Sequence, residues 1–394
     1  MKHGKTLLLM VLLLSLVACS QQVFDSSPDP AENSKQTANK KSDSPSHLRL
    51  AVVGDLMMHD TQIQAGKQVD GSYNYDSFFK EVKPWFKQAD LVVGNLETTL
   101  PGESKPYSGY PLFRAPDAYG QALREAGFDL VSTANNHSMD AGEEGVVRTY
   151  RKLKKLGIEP VGTSPGPEPQ EPVLVKRNGI NLSFSAYTYG TNGIPLPKGK
   201  EYLVNHIQTE KIKEDIRKSK AKGADYIAVM LHFGLEYQRE PNAEQKRVVK
   251  EVLESGADVV LGGHPHVLQP MEYPKQNGRE KFVIYSLGNF VSDQVKPYTN
   301  DGVILYLDLL KKHKEKTQLK KVSYIPTYVH KFREGGTRQF TVIPINKGSE
   351  GVKTPSYPSL AERDLKRAWK DTTTLMNRYD EFPVFSQQED KHKR

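Results

Sequence analysis

Short apolar runs, each stopped by glycine or a polar residue, recur along the chain from Leu48 onward. Leu48 to Val53 runs into Gly54-Asp55, Leu91 to Val93 into Gly94-Asn95-Leu96-Glu97, and Asp129 to Ala134 into Asn135-Asn136-His137. Tyr226 to Leu231 ends at His232, and Val259 to Leu261 ends at Gly262-Gly263-His264-Pro265-His266. Runs of this length bounded by turn residues read as buried strands. Helical patterns between them close on a recurring joint: Lys87-Gln88-Ala89-Asp90, Ala126-Gly127-Phe128-Asp129, Lys222-Gly223-Ala224-Asp225 and Ser255-Gly256-Ala257-Asp258. In all but the first, glycine stands where a helix C-terminus takes a left-handed residue. Leu156-Gly157-Ile158 is a weaker copy, and Val248, Val249, Val252 and Leu253 recur at helical spacing before Gly256. Joints repeated in this way predict βαβ units and an α/β fold.

After His266 the pattern turns to strands. Phe282 to Ser286, Val303 to Leu310, Val322 to Val329 and Phe340 to Ile345 are rich in β-formers, with no long helix between them. The basic stretch Lys311 to Lys321 reads as a solvated hairpin loop, with anion binding as its alternative. A last helix is expected from Ser359 to Tyr379. Ser359 and Glu362 would form its capping box, and Leu365, Trp369, Met376 and Tyr379 one of its faces. Ser386 to Arg394 is expected to fray.

The N-terminus departs from this pattern. Lys2 and Lys5 precede an apolar stretch from Leu7 to Ala18, a signal-peptide core by length and flank. The chain's single cysteine, Cys19, follows it in Leu16-Val17-Ala18-Cys19-Ser20, which resembles the lipobox of bacterial lipoproteins. The expected organisation is therefore a leader over residues 1–18, then a lipidated Cys19 and flexible tether over 19–47. A folded domain over 48–345 and a C-terminal loop, helix and tail over 346–394 complete it. The tether is polar and cannot bury enough surface to fold. The mature chain would hold no disulfide, and 394 residues suffice for a core without one. Loss of Lys2 and Lys5 takes the formal charge from +8 to +6. That surplus suits an anionic lipid surface, polymer or substrate as partner, and no nucleic acid is expected.

The strand ends carry the candidate chemistry. In open α/β sheets ligands gather beyond the carboxyl ends of the strands. Asp, Glu, Asn and His would therefore converge along one sheet edge. Oxygen and imidazole donors without cysteine suit one or two divalent ions such as Mn, Fe, Zn or Mg. Two such ions would activate a shared water and clamp the oxygens of an in-line displacement, which implies phosphoester hydrolysis or transfer. Singly, each residue has a plainer reading: Asp55 as a turn residue, Asn135-Asn136 as a left-handed turn, a lone His as a hydrogen-bonded bystander.

Six ordered motifs carry a resemblance. Gly54-Asp55-Leu56-Met57-Met58, Gly94-Asn95-Leu96-Glu97, Ala134-Asn135-Asn136-His137-Ser138-Met139-Asp140, His232-Phe233-Gly234-Leu235-Glu236-Tyr237, Gly262-Gly263-His264-Pro265-His266-Val267 and Tyr285-Ser286-Leu287-Gly288-Asn289-Phe290-Val291 resemble the CapA family, over roughly Leu48 to Leu310. That family is associated with poly-γ-glutamate capsule synthesis and export, and is similar to the calcineurin-like metallophosphoesterases. The resemblance implies a two-sheet sandwich flanked by helices, layered α/β/β/α. It implies Asp55 and His266 as ligands of a first metal, Glu97 as the bridge, and Asn136, His232 and His264 as ligands of a second. His137 would be the general acid or a clamp on the phosphoryl group, with Asp140 as its orienting carboxylate or else a helix cap.

Departures from the phosphoesterase pattern matter as much. That superfamily opens Asp-x-His, whereas Asp55 is followed by Leu56 and Met57; His59 is the nearest substitute if the loop curls back. The bridge is Glu rather than Asp. Arg114, in Pro111-Leu112-Phe113-Arg114-Ala115-Pro116, is a candidate substrate-anion ligand or a surface ion pair, and Asn95 a candidate substrate contact. Glu236 reads as a partner of His232 or a surface acid, and Asn289 and Asp293 as site-lining or turn residues. Three functions are consistent with this sequence. It could be a lipid-anchored component on the outer face of the cell membrane, acting in poly-γ-glutamate production or export beside membrane-embedded synthesis proteins. It could be a surface phosphoesterase of another pathway, or a non-catalytic scaffold that keeps the metal shell.

Overall fold

The computed structural model of the chain describes residues 45–386, apart from 277, 313, 314, 349, 350 and 354–356. The expected leader, Cys19, nearly all of the tether and the last eight residues lie outside the described residues. Ser46 and His47, assigned above to the tether, already pair with Lys311 and Leu310 in the first strand, Ser46–Leu56.

Two sheets form the core. In the first, of eight strands, Ser46–Leu56, Leu91–Leu96, Leu130–Ser132 and Glu159–Val161 run parallel, and the short strand Asn289–Val291 pairs parallel with the end of Ser46–Leu56. On the other side of Ser46–Leu56 follow the antiparallel strands Asp301–Lys311, Gln318–Glu334 and Thr337–Pro344. In the second, of six strands, Ile180–Thr188, Tyr226–His232, Val259–Gly263 and Phe282–Leu287 run parallel, with antiparallel Val173–Arg177 and Leu268–Glu272 at the edges.

Alternation within each run assigns the layers. Leu48, Leu50 and Val52 share one cluster with Leu182, Phe184, Ala228, Met230 and Leu261, so this cluster lies between the sheets. Ala51 and Val53 turn the other way, onto Phe78, Phe79, Phe86, Tyr119 and Phe128 beneath the helices of the first sheet. Ile227, Val229, Leu231 and Val260 meet Ile212, Ile216, Val248, Val249 and Val252 of helices Thr209–Ala221 and Ala243–Ser255 on the outer face of the second. The result is the expected α/β/β/α layering. Strands buried on both faces read as continuous apolar runs rather than alternating ones, which is what this sequence shows. Each buried Leu, Val, Ile or Phe contributes about 1.5–3 kcal/mol.

The glycine joints do what their position implies: Gly127 and Gly256 cap helices Asp117–Ala126 and Ala243–Ser255 at φ 111° and 113°. The basic stretch is a hairpin connection between Asp301–Lys311 and Gln318–Glu334, although Lys311 and Lys320-Lys321 belong to the strands themselves. The last helix is shorter than expected, Glu362–Met376, with Ala361 at its N-cap and no side-chain cap. The Ser359–Glu362 capping box does not form: Ser359 has φ 58° and its hydroxyl donates to Pro358 O. Leu365 and Met376 are buried, Trp369 packs partly, and Tyr379 is 46 % exposed beyond the helix end.

The five ligand-bearing strand ends do not share one sheet. Asp55, Asn95 and the Asn135–His137 turn belong to the first sheet, His232 and His264 to the second. The carboxyl edges of both sheets meet at the site.

Candidate metal centre

Strand register sets the floor of the site. Asp55 pairs with Asn95 on one side and with Asn289 on the other, so three polar side chains lie abreast at a strand end. Asn95 Nδ2 donates to Asp55 Oδ1 at 2.9 Å and lies 3.3 Å from His232 Nδ1. This side chain ties the first sheet to the second. On the second sheet His232 is abreast of Gly263, and a side chain on Gly263 would meet Asp55 Oδ1 at 2.9 Å. Only glycine lets the His264–His266 loop sit this close to the Asp55 carboxylate.

Glu97 stands where the two edges meet. It is wholly buried, and its Oε1 lies 3.6 Å from His232 Nε2 and 3.7 Å from His266 Nε2. Donor atoms of Asp55, Glu97 and His266 fall within 4.8 Å of one another, and so do those of Glu97, His232 and His264. The two triads share Glu97. Asn136 Oδ1 joins the second, 2.7 Å from His232 Nε2. His266 Nδ1 lies 3.1 Å from Asn289 Oδ1 and 3.3 Å from Asp55 Oδ2, which leaves Nε2 turned toward Glu97.

These donors fit divalent ions. Among the described residues, neither carboxylate oxygen of Glu97 nor Nδ1 of His264 has a hydrogen-bond partner. A buried carboxylate without partners is costly unless a cation neutralises it. Burial, reinforced by the charges of Asp55, Glu236 and Asp140, raises the Glu97 carboxyl well above its ordinary range. Burial also holds His232 well below the ordinary imidazole value and lowers His264 to about 3, with neighbouring imidazoles adding to both. Neutral imidazoles are what a metal ion requires. His264 and His266 sit at φ 98° and 59°. Side chains in that region cost on the order of 1–3 kcal/mol each and persist where the surroundings demand them.

Beside the cluster, His137 Nδ1 lies 2.7 Å from Asp140 Oδ2, and both side chains are buried. The same oxygen accepts Phe113 N at 2.5 Å, and the Phe113 ring meets the His137 ring edge-on at 4.5 Å. His137 Nε2 lies 3.4 Å from Asn192 Nδ2, and Asn192 Oδ1 accepts Asn136 Nδ2 at 3.1 Å. Asn192 therefore links the acid candidate to a metal-ligand candidate. Sequence reasoning missed it because Thr191-Asn192-Gly193 reads only as a turn. Tyr189, whose ring lies 4.7 Å from that of His264, was missed for a similar reason.

The remaining candidates are placed differently. His59 belongs to none of the donor triads found among the described residues; its Nδ1 lies 3.0 Å from Gln62 Oε1 and accepts Asp293 N at 3.2 Å at the start of helix Asp60–Gly66. Asn95 is 7 % exposed, with its amide nitrogen donating to Asp55 and lying near His232. Arg114 bridges by its backbone to Thr99 and Ser108, and its Nε donates to Ser108 Oγ at 2.9 Å. Asp293 pairs with Arg338 at 3.0 Å and belongs to none of the donor triads found among the described residues. Glu236 lies nearest His266 rather than His232, at 3.9 Å from Nε2.

Comparison with known proteins adds the family context. The family model described as "Bacterial capsule synthesis protein PGA_cap" matches residues 49–294. The chain is 28 % identical to the "Capsule biosynthesis protein CapA" of Bacillus anthracis over 335 residues, 83 % of this chain and 74 % of that protein. It is also 28 % identical to the "PGA biosynthesis protein CapA" of Bacillus subtilis (strain 168) over 349 residues, 85 % of this chain and 83 % of that one. Among solved structures, the NAD nucleotidase of Haemophilus influenzae aligns at TM-score 0.45 and 14 % identity, over 88 % of this chain and 59 % of that one.

Proposed function

Since the chain belongs to the bacterial capsule synthesis protein family, we propose that it acts in making or exporting a poly-γ-glutamate capsule, through a two-ion centre that cleaves or transfers a phosphoester. The observation that carries this reading is Glu97, buried without hydrogen-bond partners among the described residues and common to two triads of donors. Asp55, His266 and Glu97 would hold one ion; Glu97, Asn136, His232 and His264 would hold the other. When bound, such ions supply Lewis-acid activation of water and neutralise charge on the phosphoryl oxygens.

The protein's own groups do the rest. Asp140 accepts the Nδ1 hydrogen of His137 and so fixes its tautomer. To act as general acid His137 must carry a hydrogen on Nε2 as well, and this imidazolium hydrogen, its charge balanced by Asp140, passes to the leaving oxygen. Asn192 and Phe113 hold that ring in place from two sides. Asn95 and Asn289 fix Asp55, His232 and His266, so the donor set is ordered before any ion arrives.

The protein would work on the outer face of the bacterial cell membrane, held by acylated Cys19 and the polar tether, beside membrane-embedded partners that make or export the polymer. What supports this is the leader, the Leu16–Cys19 motif and the composition of the tether. The test combines two measurements on protein purified without chelator. Elemental analysis should find one to two divalent ions per chain, and an aryl phosphodiester should be hydrolysed in a chelator-sensitive way. Metal-free protein from such a preparation overturns the two-ion centre. Intact capsule in a strain carrying His137→Ala overturns the catalytic part and leaves a scaffold.

A further inference from the structure

Glu236 differs from every other carboxylate at the site in being reachable from solvent. Its side chain is 44 % exposed, whereas those of Asp55 and Glu97 are wholly buried. Yet its donor atom falls within 4.8 Å of those of His264 and His266, a third triad beside the two that share Glu97. Donors bound to one ion at about 2.0–2.2 Å lie roughly 3–3.5 Å from each other. The 3.9 Å from Glu236 Oε1 to His266 Nε2 is only slightly longer than the 3.7 Å from Glu97 Oε1 to the same atom. A half-exposed side chain closes that gap by a small torsional adjustment.

The backbone delivers Glu236 to this place. The loop after strand Tyr226–His232 is stitched to the His264–His266 loop at two points: Phe233 N donates to Gly263 O at 3.1 Å, and Tyr237 N to Pro265 O at 2.8 Å. Glu236 therefore moves with the two histidines. The bend needs Gly234 at φ 105°, where a side chain would run into Gln245 at 2.7 Å. Gln245 is itself buried and donates to Gln269 Oε1 at 2.8 Å. Tyr237 takes φ 64°, a strained value for a residue with a side chain. One strained position next to an acidic residue, on a bend that only glycine allows, is hard to account for if that residue is only a solvated surface charge. Like charges crowded around Glu97 make the arrangement worse still, unless cations lie between them.

The geometry points to Glu236 as a metal ligand, the carboxylate that closes the solvent side of the centre between His264 and His266. This rests on the two-ion reading and adds a residue to it. The buried donors surround the ions from within the protein; Glu236 alone among the carboxylates comes from the open side. A phosphoryl oxygen entering from solvent would meet this ligand first and displace it.

Calorimetric titration of the chelator-stripped full-length protein with Mn2+ tests the assignment. Glu236→Gln and Glu236→Asp should both weaken the looser Mn2+ site at least about tenfold, the low end for lost metal-site partners. Without metal Glu236→Asp should melt with the parent, because the side chain is half exposed, and Glu236→Gln at or above it, because one like charge near Glu97 is removed. Unchanged Mn2+ affinities in both variants overturn the role of Glu236 while the parent's own binding leaves the centre standing. A parent that binds no Mn2+ overturns the centre and this ligand together.

Discussion

Asp140 Oδ2 lies 2.7 Å from Nδ1 of His137, three residues before it, and neither side chain is more than 5 % exposed. A carboxylate can only accept, so Nδ1 carries the hydrogen and Nε2 is the atom left for chemistry. His137→Ala should lower turnover of an aryl phosphodiester by about 10^2–10^4-fold, the usual worth of a positioned proton donor. Metal content should not change, since His137 belongs to none of the donor triads. Asp140→Asn should act in the same direction and alter the pH–rate profile, because the amide no longer dictates the tautomer. Turnover within threefold of the parent in His137→Ala would remove this residue from the mechanism.

Glu97→Gln separates metal binding from folding. Glu97 is buried with both oxygens unpartnered, so without metal the neutral amide should melt at or above the parent temperature. With saturating Mn2+ the order should reverse. An ion present at a hundred times its dissociation constant stabilises the folded parent by about 2.7 kcal/mol, and the variant should gain little of this. Thermal melting with and without chelator measures both arms. A parent and variant that respond equally to Mn2+ would deprive Glu97 of its bridging role.

Much of this arrangement can be read in the chain before folding, and the reasons are local. A strand that ends at Asp55 or His232 announces itself by an apolar run and a glycine. The Asp140 carboxylate lies one turn from His137, within reach of simple spacing. What is not legible depends on contacts between distant segments. The division of the ligands over two sheets requires knowing that Leu50 faces Phe184 while Ala51 faces the helices. Asn95 reads as a substrate contact, and only strand register shows it beside Asp55 with its amide 3.3 Å from His232. Asn192 reaches His137 from a turn 55 residues away, with no motif to mark it. Ser359 fails as a helix cap because its own backbone turns left-handed, a choice that spacing to Glu362 does not reveal.

Gly263→Ala tests how tightly the loops are packed around Asp55. The added methyl would lie 2.9 Å from Asp55 Oδ1, closer than ordinary contact, and Asp55 is fully buried and held by Asn95. The carboxylate must shift or the His264–His266 loop must lift. Either movement pulls donors of the two triads apart, so Mn2+ affinity should drop about tenfold or more, in the range seen when support of a metal ligand is lost. The circular dichroism spectrum should remain that of the parent. Parent-like Mn2+ affinity would mean that the loop has slack.

His59 gives the chelated protein a defined acid sensitivity. Burial lowers its imidazole to about 4, with Lys331 and His266 adding to the effect and Gln62 and Asp293 opposing it. The folded value lies below the unfolded value of about 6.5, so between them the unfolded chain binds more protons than the folded one. The contribution of His59 is therefore intact above pH 6.5 and is lost progressively as pH falls toward 4. His59→Asn keeps a residue favoured at a helix N-cap but removes the titration. In chelator, urea unfolding of the parent should lose on the order of 2 kcal/mol more than the variant between pH 7 and pH 4.5. Parallel pH profiles for parent and variant would show that His59 can take up its proton without leaving its place beside Gln62 and Asp293.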